Sequence, residues 1–165
     1  MKISSGLEQA TYVLLLLSRL PSNSTINSST ISDRLGVSHS YLKKLIRNLV
    51  SENLVSSTSG KNGGFSLAKS LQNISFLDVY VAIEGRQKLF QTQNLISGFL
   101  NEPTDNDDDC IMNSVMDTVE EKLKDSMESI TLDQLLNQIL ETYDISNLDK
   151  WLLSVSNQAY QPSFN

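Results

Sequence analysis

The chain's 165 residues, 39% hydrophobic and 19% charged, can bury a core without disulfide staples and do not suit a disordered tail, a collagen-like repeat or a disulfide-rich miniprotein. A net charge of −6 argues at first sight against a phosphate-rich partner. That figure hides a split: residues 1–70 hold eight Lys or Arg against three acids, net +5, whereas residues 71–165 hold five against sixteen, net −11. A basic amino-terminal part joined to an acidic remainder points to two jobs on one chain.

In chain order, Ser5 and Glu8 make a capping-box pattern, and Leu7, Ala10, Thr11, Leu14, Leu17 and Leu20 recur at helical spacing until Pro21. The apolar run Tyr12 to Leu17 is far shorter than the roughly 20 residues a bilayer requires. Glu8 precedes it and no small-residue cleavage pattern follows, so it reads as a buried helix, neither anchor nor secretory signal. The three Asn-x-Ser/Thr sites then read as chance. Asn27 can cap a short second helix carrying Ile31 and Leu35, which Gly36 ends in a left-handed turn. Ser38 can cap a third, with Leu42, Leu45, Ile46 and Leu49 on one face.

Leu54 to Thr58 alternates, Ser59 to Gly64 is turn chemistry, and Phe65 to Leu67 alternates again, which predicts a β-hairpin. Ser75 and Asp78 open a helix with Phe76, Val79, Tyr80 and Ile83 inside, closed by Gly85. Residues 86–110 carry weak signals: a faintly helical Leu89 to Leu100, then an acidic loop from Glu102 to Asp109. From Met112 a stripe of Met112, Val115, Met116, Val119, Leu123, Met127 and Ile130 predicts one long helix. Thr131 with Gln134, and Ser146 with Asp149, predict capping boxes for two further helices carrying Leu132 to Leu140 and Leu148 to Val155. No pattern begins at Gln158, and no internal repeat is visible.

Two helices, a very short glycine-containing turn, a third helix and a glycine-rich hairpin compose a winged helix-turn-helix. In that motif the second helix enters the major groove with its amino-terminal residues at base edges while neighbouring elements hold phosphates. The candidate DNA-binding residues are Ser38, His39, Ser40, Tyr41, Lys43, Lys44 and Arg47, with Gly60, Lys61, Gly63 and Gly64 of the wing. One of Lys43 and Lys44 is assigned to a phosphate and the other to a base edge. His39 fits either a plain polar contact or a pH-sensitive one. Tyr41 fits either a phosphate contact or packing under the hairpin.

Met1-Lys2-Ile3-Ser4, Gly36-Val37-Ser38-His39-Ser40-Tyr41-Leu42, Asn53-Leu54-Val55, Gly63-Gly64-Phe65-Ser66-Leu67-Ala68 and Ile74-Ser75-Phe76-Leu77-Asp78-Val79 through Ile83-Glu84-Gly85 stand in an order that resembles the Rrf-type winged helix-turn-helix transcription regulators. The resemblance is closest over residues 1–85. It implies a homodimeric bacterial regulator in which the long helix pairs with its twin and two winged helices bind a palindromic operator. Many members hold an iron–sulfur cluster on three cysteines, helped by a downstream histidine; here only Cys110 matches, with Asn113 at the histidine's place. A cluster-free member, with no cofactor and no metal, is the expectation. Ser59 replaces the arginine that relatives often carry before the wing glycine, which leaves Lys61 as a phosphate contact at most.

The expected fold is therefore mainly α: a winged helix-turn-helix over residues 1–85, a variable sensor or linker segment over 86–110, and a dimerisation helix with carboxy-terminal helices over 111–165. The expected dimer interface is Val115, Met116, Val119, Leu123 and Met127. A lone cysteine excludes an intrachain disulfide and suits a reducing cytoplasm. Cys110 is the possible sensor, although the acids before it raise a thiol's pKa and favour an ordinary thiol. Asp105, Asp107 and Asp109 resemble the start of an EF-hand loop, but Cys110 replaces its glycine and Met116 its glutamate. No phosphate-binding loop, catalytic triad order or metal-ligand spacing suggests an enzyme. The expected partners are double-stranded DNA, a second copy of the chain and an unidentified small ligand or partner protein, with no membrane. The alternative is an interaction module of the same fold whose acidic half binds a protein and whose DNA binding is vestigial.

Overall fold

Leu7, Ala10, Leu14 and Leu17 recur every three or four residues, and Val13, Leu15 and Leu16 fill the remaining faces, so that α1 (Ser5–Ser18) is buried on nearly all sides. The computed structural model describes residues 4–61, 63–88, 93, 95–101 and 111–158. The acidic loop Glu102 to Asp109 and Cys110 lie outside them. The expected Ser5–Glu8 capping box does not form. Ser4 holds the cap position, and its amide and hydroxyl both donate to Glu84 Oε1, at 3.0 and 2.5 Å; a carboxylate brought in from 80 residues away captures the donors. Helix α1 also stops before Leu20, because its last turn tightens into Arg19 N–Leu16 O and Leu20 N–Leu17 O bonds.

Asn27 Oδ1 accepts the Thr30 amide at 2.8 Å and starts α2 (Ser28–Leu35), and Gly36 ends it at φ 64°, ψ 32°. Three residues later α3 (His39–Ser51) begins, with Leu42, Leu45, Ile46 and Leu49 buried. Ser38 occupies its cap position, but its hydroxyl pairs with Ser40 Oγ at 3.0 Å and caps no amide. The hairpin joins β2 (Val55–Thr58) to β3 (Gly64–Leu67), from Val55 opposite Leu67 to Thr58 opposite Gly64. Strand β1 (Ser24–Thr25) runs into Ile26, which exchanges both backbone bonds with Phe65. On its other edge β1 pairs with β4 (Asn157–Gln158), a strand with no sequence signal.

After a 3₁₀ turn (Leu71–Asn73), the Ser75–Asp78 capping box opens α4 (Phe76–Glu84). The Thr131–Gln134 box opens α7 (Leu132–Thr142) beside it, and the two starts are zipped by Phe76 N–Ile130 O at 2.8 Å and Leu132 N–Ile74 O at 2.9 Å. The short α5 (Ile96–Leu100) leads towards α6 (Ile111–Glu128), and α8 (Ser146–Val155) follows α7. The expected Ser146–Asp149 box is absent. Ser146 turns its amide and hydroxyl to Asp144 Oδ1, and Asp149 takes both arms of the Arg19 guanidinium at 2.7 and 3.1 Å. Met127, Leu132 and Leu152 join one apolar cluster with α1, α3 and α4. The described residues therefore form a mainly helical winged-helix fold into which the carboxy-terminal helices are packed.

Candidate nucleic-acid interface

Helix α3 is sharply two-sided. Its apolar residues sit in the core, and Ser38, His39, Ser40, Tyr41, Lys43, Lys44 and Arg47 are all exposed. Among the described residues Lys43, Lys44 and Arg47 have no carboxylate within ion-pair distance, whereas Arg19, Lys69, Arg86, Lys88 and Lys124 each face one. A row of unpaired cations on a rigid helix presents its charge at little reorganisation cost, which suits phosphate and base-edge contacts. The short turn through Gly36 fixes α3 against α2, and the α3 amino terminus offers unpaired amides of its own.

Two of these side chains also lie near other elements of the chain. His39 Nε2 lies 3.0 Å from Ser28 Oγ, so the imidazole is turned onto α2. The Tyr41 hydroxyl lies over the start of α1, where a Cβ placed on Gly6 would stand 2.6 Å from it. Tyr41, 41% exposed, is thus brought beside α1. A further tether had no local signal. Arg86 donates two bonds to Glu52, at 2.7 and 2.9 Å, clamping the end of α3 to the segment after α4. The Arg86 guanidinium holds the Glu52 carboxyl below its ordinary value and is itself raised by it.

The wing glycines have backbone reasons. Gly60 sits at φ 110°. A Cβ on Gly63 would collide with the Thr58 carbonyl oxygen, and one on Gly64 would come 2.7 Å from that of Ile26. Lys61 is exposed at the turn, while Asn62 is outside the described residues. Gly63→Ala is expected to cost about 1–3 kcal/mol by forcing the hairpin turn open. Gly98→Ala, where nothing lies within 4 Å of the added carbon, should cost nothing, and urea denaturation of the two variants checks the contrast.

The long apolar stripe of α6 divides. Val115 and Val119 are each 51% exposed, and Met116 is half-buried. Leu123 is half-buried against the core, and Met127, 6% exposed, is part of it. The stripe thus faces outward at Met112, Val115 and Val119 and packs inward at Leu123 and Met127, while Ile130, 44% exposed, lies beyond the end of α6.

Comparison with known proteins agrees with this layout. A family model described as "Rrf2: Iron-dependent Transcriptional regulator" matches residues 3–138. YffB of Lactococcus lactis subsp. lactis, an HTH-type transcriptional regulator by name, is 46% identical across 92% of this chain and 97% of its own. YwgB of Bacillus subtilis, named likewise, is 42% identical across 93% and 96%. The solved structure of CymR, the global cysteine regulator of B. subtilis, superposes with a TM-score of 0.63 at 19% identity, covering 84% of this chain and 98% of that one. These relatives and fold neighbours are regulators, not enzymes.

The family description implies iron, and the donor set here does not fit a thiolate-held centre. The chain has one cysteine and one histidine, and that histidine lies on α3 beside Ser28. Among the described residues no group of three or more His, Cys, Asp or Glu is placed to hold a metal. With its helix-turn-helix, its wing and close relatives along nearly its whole length, the chain belongs to the Rrf2 family of transcriptional regulators.

Proposed function

We propose that this regulator binds a palindromic operator as a homodimer and represses by occupying the promoter. Helix α3 lies in the major groove, with Ser40, Lys43, Lys44 and Arg47 towards the DNA, and Lys61 of the wing meets a phosphate. The observation that carries this reading is the face of α3, whose three cations are exposed and without an ion pair among the described residues while the opposite face is locked in the core. The protein acts in the cytoplasm on this reading; no helix among the described residues is long and apolar enough to cross a membrane.

Dimerisation uses the outward half of α6, where Met112, Val115 and Val119 make an exposed apolar strip. Leu123 and Met127 support the helix from inside. Val115→Glu/Val119→Glu is expected to sediment as a monomer and to lose operator binding, since each half-site alone offers too few contacts. A dimer that persists in this variant would contradict the assignment. Signal input is placed in residues 86–110, with Cys110 as a possible sensor. That segment begins at Arg86, bonded to Glu52 at the carboxy-terminal cap of α3, and Lys88, bonded to Asp117 of α6, so it touches both the reader and the dimer helix.

The experiment for the whole reading is a footprint on DNA upstream of the protein's own gene. Two protected half-sites centred about one helical turn apart, or a multiple of it, are expected. A stoichiometric protein partner together with no DNA protection would favour the interaction-module alternative.

A further inference from the structure

Between α1, α2, α7 and α8 lies a groove of about 260 Å³ whose walls include Leu16, Leu35, Leu136, Ile139 and Leu148. Two guanidiniums, Arg19 and Arg34, stand on its lining, and the exposed Tyr12 is beside them. Arg19 is held by Asp149. Arg34 makes no hydrogen bond or ion pair among the described residues, and its guanidinium instead sits 4.8 Å from the centre of the Trp151 ring. The stack orients the cation without neutralising it. The lining therefore pairs an aliphatic body with two guanidiniums, of which Arg19 is neutralised by Asp149 outside the lining.

We propose that this groove is a binding site for a small amphipathic anion, a monocarboxylate with an unbranched apolar chain. The aliphatic walls take the chain, and Arg34 takes the carboxylate in a bidentate pair, the geometry for which a guanidinium is suited. A cationic amphiphile is repelled by the same guanidinium, and a neutral alcohol leaves Arg34 without its partner. The volume lies just below the usual range for ligand pockets, which suits a short to moderate chain. Arg34 and Leu35 form the last turn of α2, directly before the Gly36 turn into α3. Occupancy is therefore expected to alter operator affinity; that consequence rests on the DNA-reading proposal, whereas binding itself does not.

Trp151 is the only tryptophan, so its emission reports on the site without DNA present. Titration of the full chain with hexanoate, octanoate and decanoate is expected to give saturable emission changes. Affinity should rise about fourfold per added methylene until the groove is full. Decanol and decyltrimethylammonium should bind at least tenfold more weakly than decanoate. Arg34→Gln should lose at least tenfold in decanoate affinity by calorimetry, a readout that does not depend on the altered stack, with thermal unfolding unchanged to confirm the fold. No saturable change with any chain length, or equal binding of decanoate and decanol that Arg34→Gln does not weaken, would overturn the proposal. Saturable decanoate binding with unaltered operator affinity would uphold the site and remove only its link to DNA reading.

Discussion

Replacing Lys43, Lys44 and Arg47 together with alanine is expected to lower operator affinity by about 10²- to 10⁴-fold while leaving the unfolding transition where it was. The size follows from about 1–2 kcal/mol for each phosphate or base-edge interaction, with every 1.4 kcal/mol a factor of ten. The unchanged stability follows from the setting of the three side chains, which are exposed and share no ion pair among the described residues. Fluorescence anisotropy with a labelled operator duplex gives both numbers needed, the affinity and its salt dependence. For every phosphate-binding cation removed, the slope of log K against log salt should flatten by about one. Lys122→Ala/Lys150→Ala removes two exposed cations from the acidic half and should change neither. Equal reductions in the two variants would mean that the chain's net charge, and not the α3 face, drives binding.

Leu132→Ala is expected to cost about 2–5 kcal/mol of folding free energy, the range for truncating a fully buried leucine. Leu132 is 0% exposed, and its amide bonds to the Ile74 carbonyl, so it sits where the opening of α7 meets the opening of α4. Because Leu132, Met127 and Leu152 share a cluster with α1 and α3, the winged helix should be destabilised with the carboxy-terminal helices in one transition. Far-ultraviolet circular dichroism and Trp151 emission should therefore move together in urea. Separate midpoints for the two signals would show that the carboxy-terminal helices are a detachable layer.

Features set by neighbours in sequence were legible, and features set by distant partners were not. The Asn27 cap, the Gly36 turn, the Ser75–Asp78 and Thr131–Gln134 boxes and the apolar face of α3 depend on residues within about four positions, and each stands where the pattern placed it. The Ser5–Glu8 and Ser146–Asp149 boxes had equally good spacing. They failed because α1 takes Ser4, bonded to Glu84, as its cap and leaves Ser5 inside the helix, and because Arg19 captured Asp149; these contacts, 80 and 130 residues long, no local rule weighs. The pairing of β4 with β1 is invisible for the same reason: two polar residues carry no strand signal, and only the return of the chain past β1 makes the ladder.

The candidate site divides along the same line. Periodicity alone placed Lys43, Lys44 and Arg47 on the open side of α3, because four buried leucine and isoleucine positions determine which way the helix faces. It did not reveal that His39 would turn to Ser28 or that Tyr41 would lie over Gly6. On α6 the apolar stripe was legible but its division was not, since only the position of α4 decides that Met127 packs inward while Val115 and Val119 face out. The opening charge split also gains a physical sense. In the acidic half three of the five cations, Arg86, Lys88 and Lys124, are engaged with carboxylates, and with sixteen acids in that half low affinity for non-specific duplex is expected.

The most direct test of the central claim, that α3 and the wing are the DNA-reading face, is lysine acetylation read by mass spectrometry with and without a footprinted operator duplex. Lys43, Lys44 and Lys61 should be protected on the duplex, with Lys124 and Lys150 modified equally in both samples. Protection of Lys150 with continued modification of Lys43 and Lys44 would contradict the account.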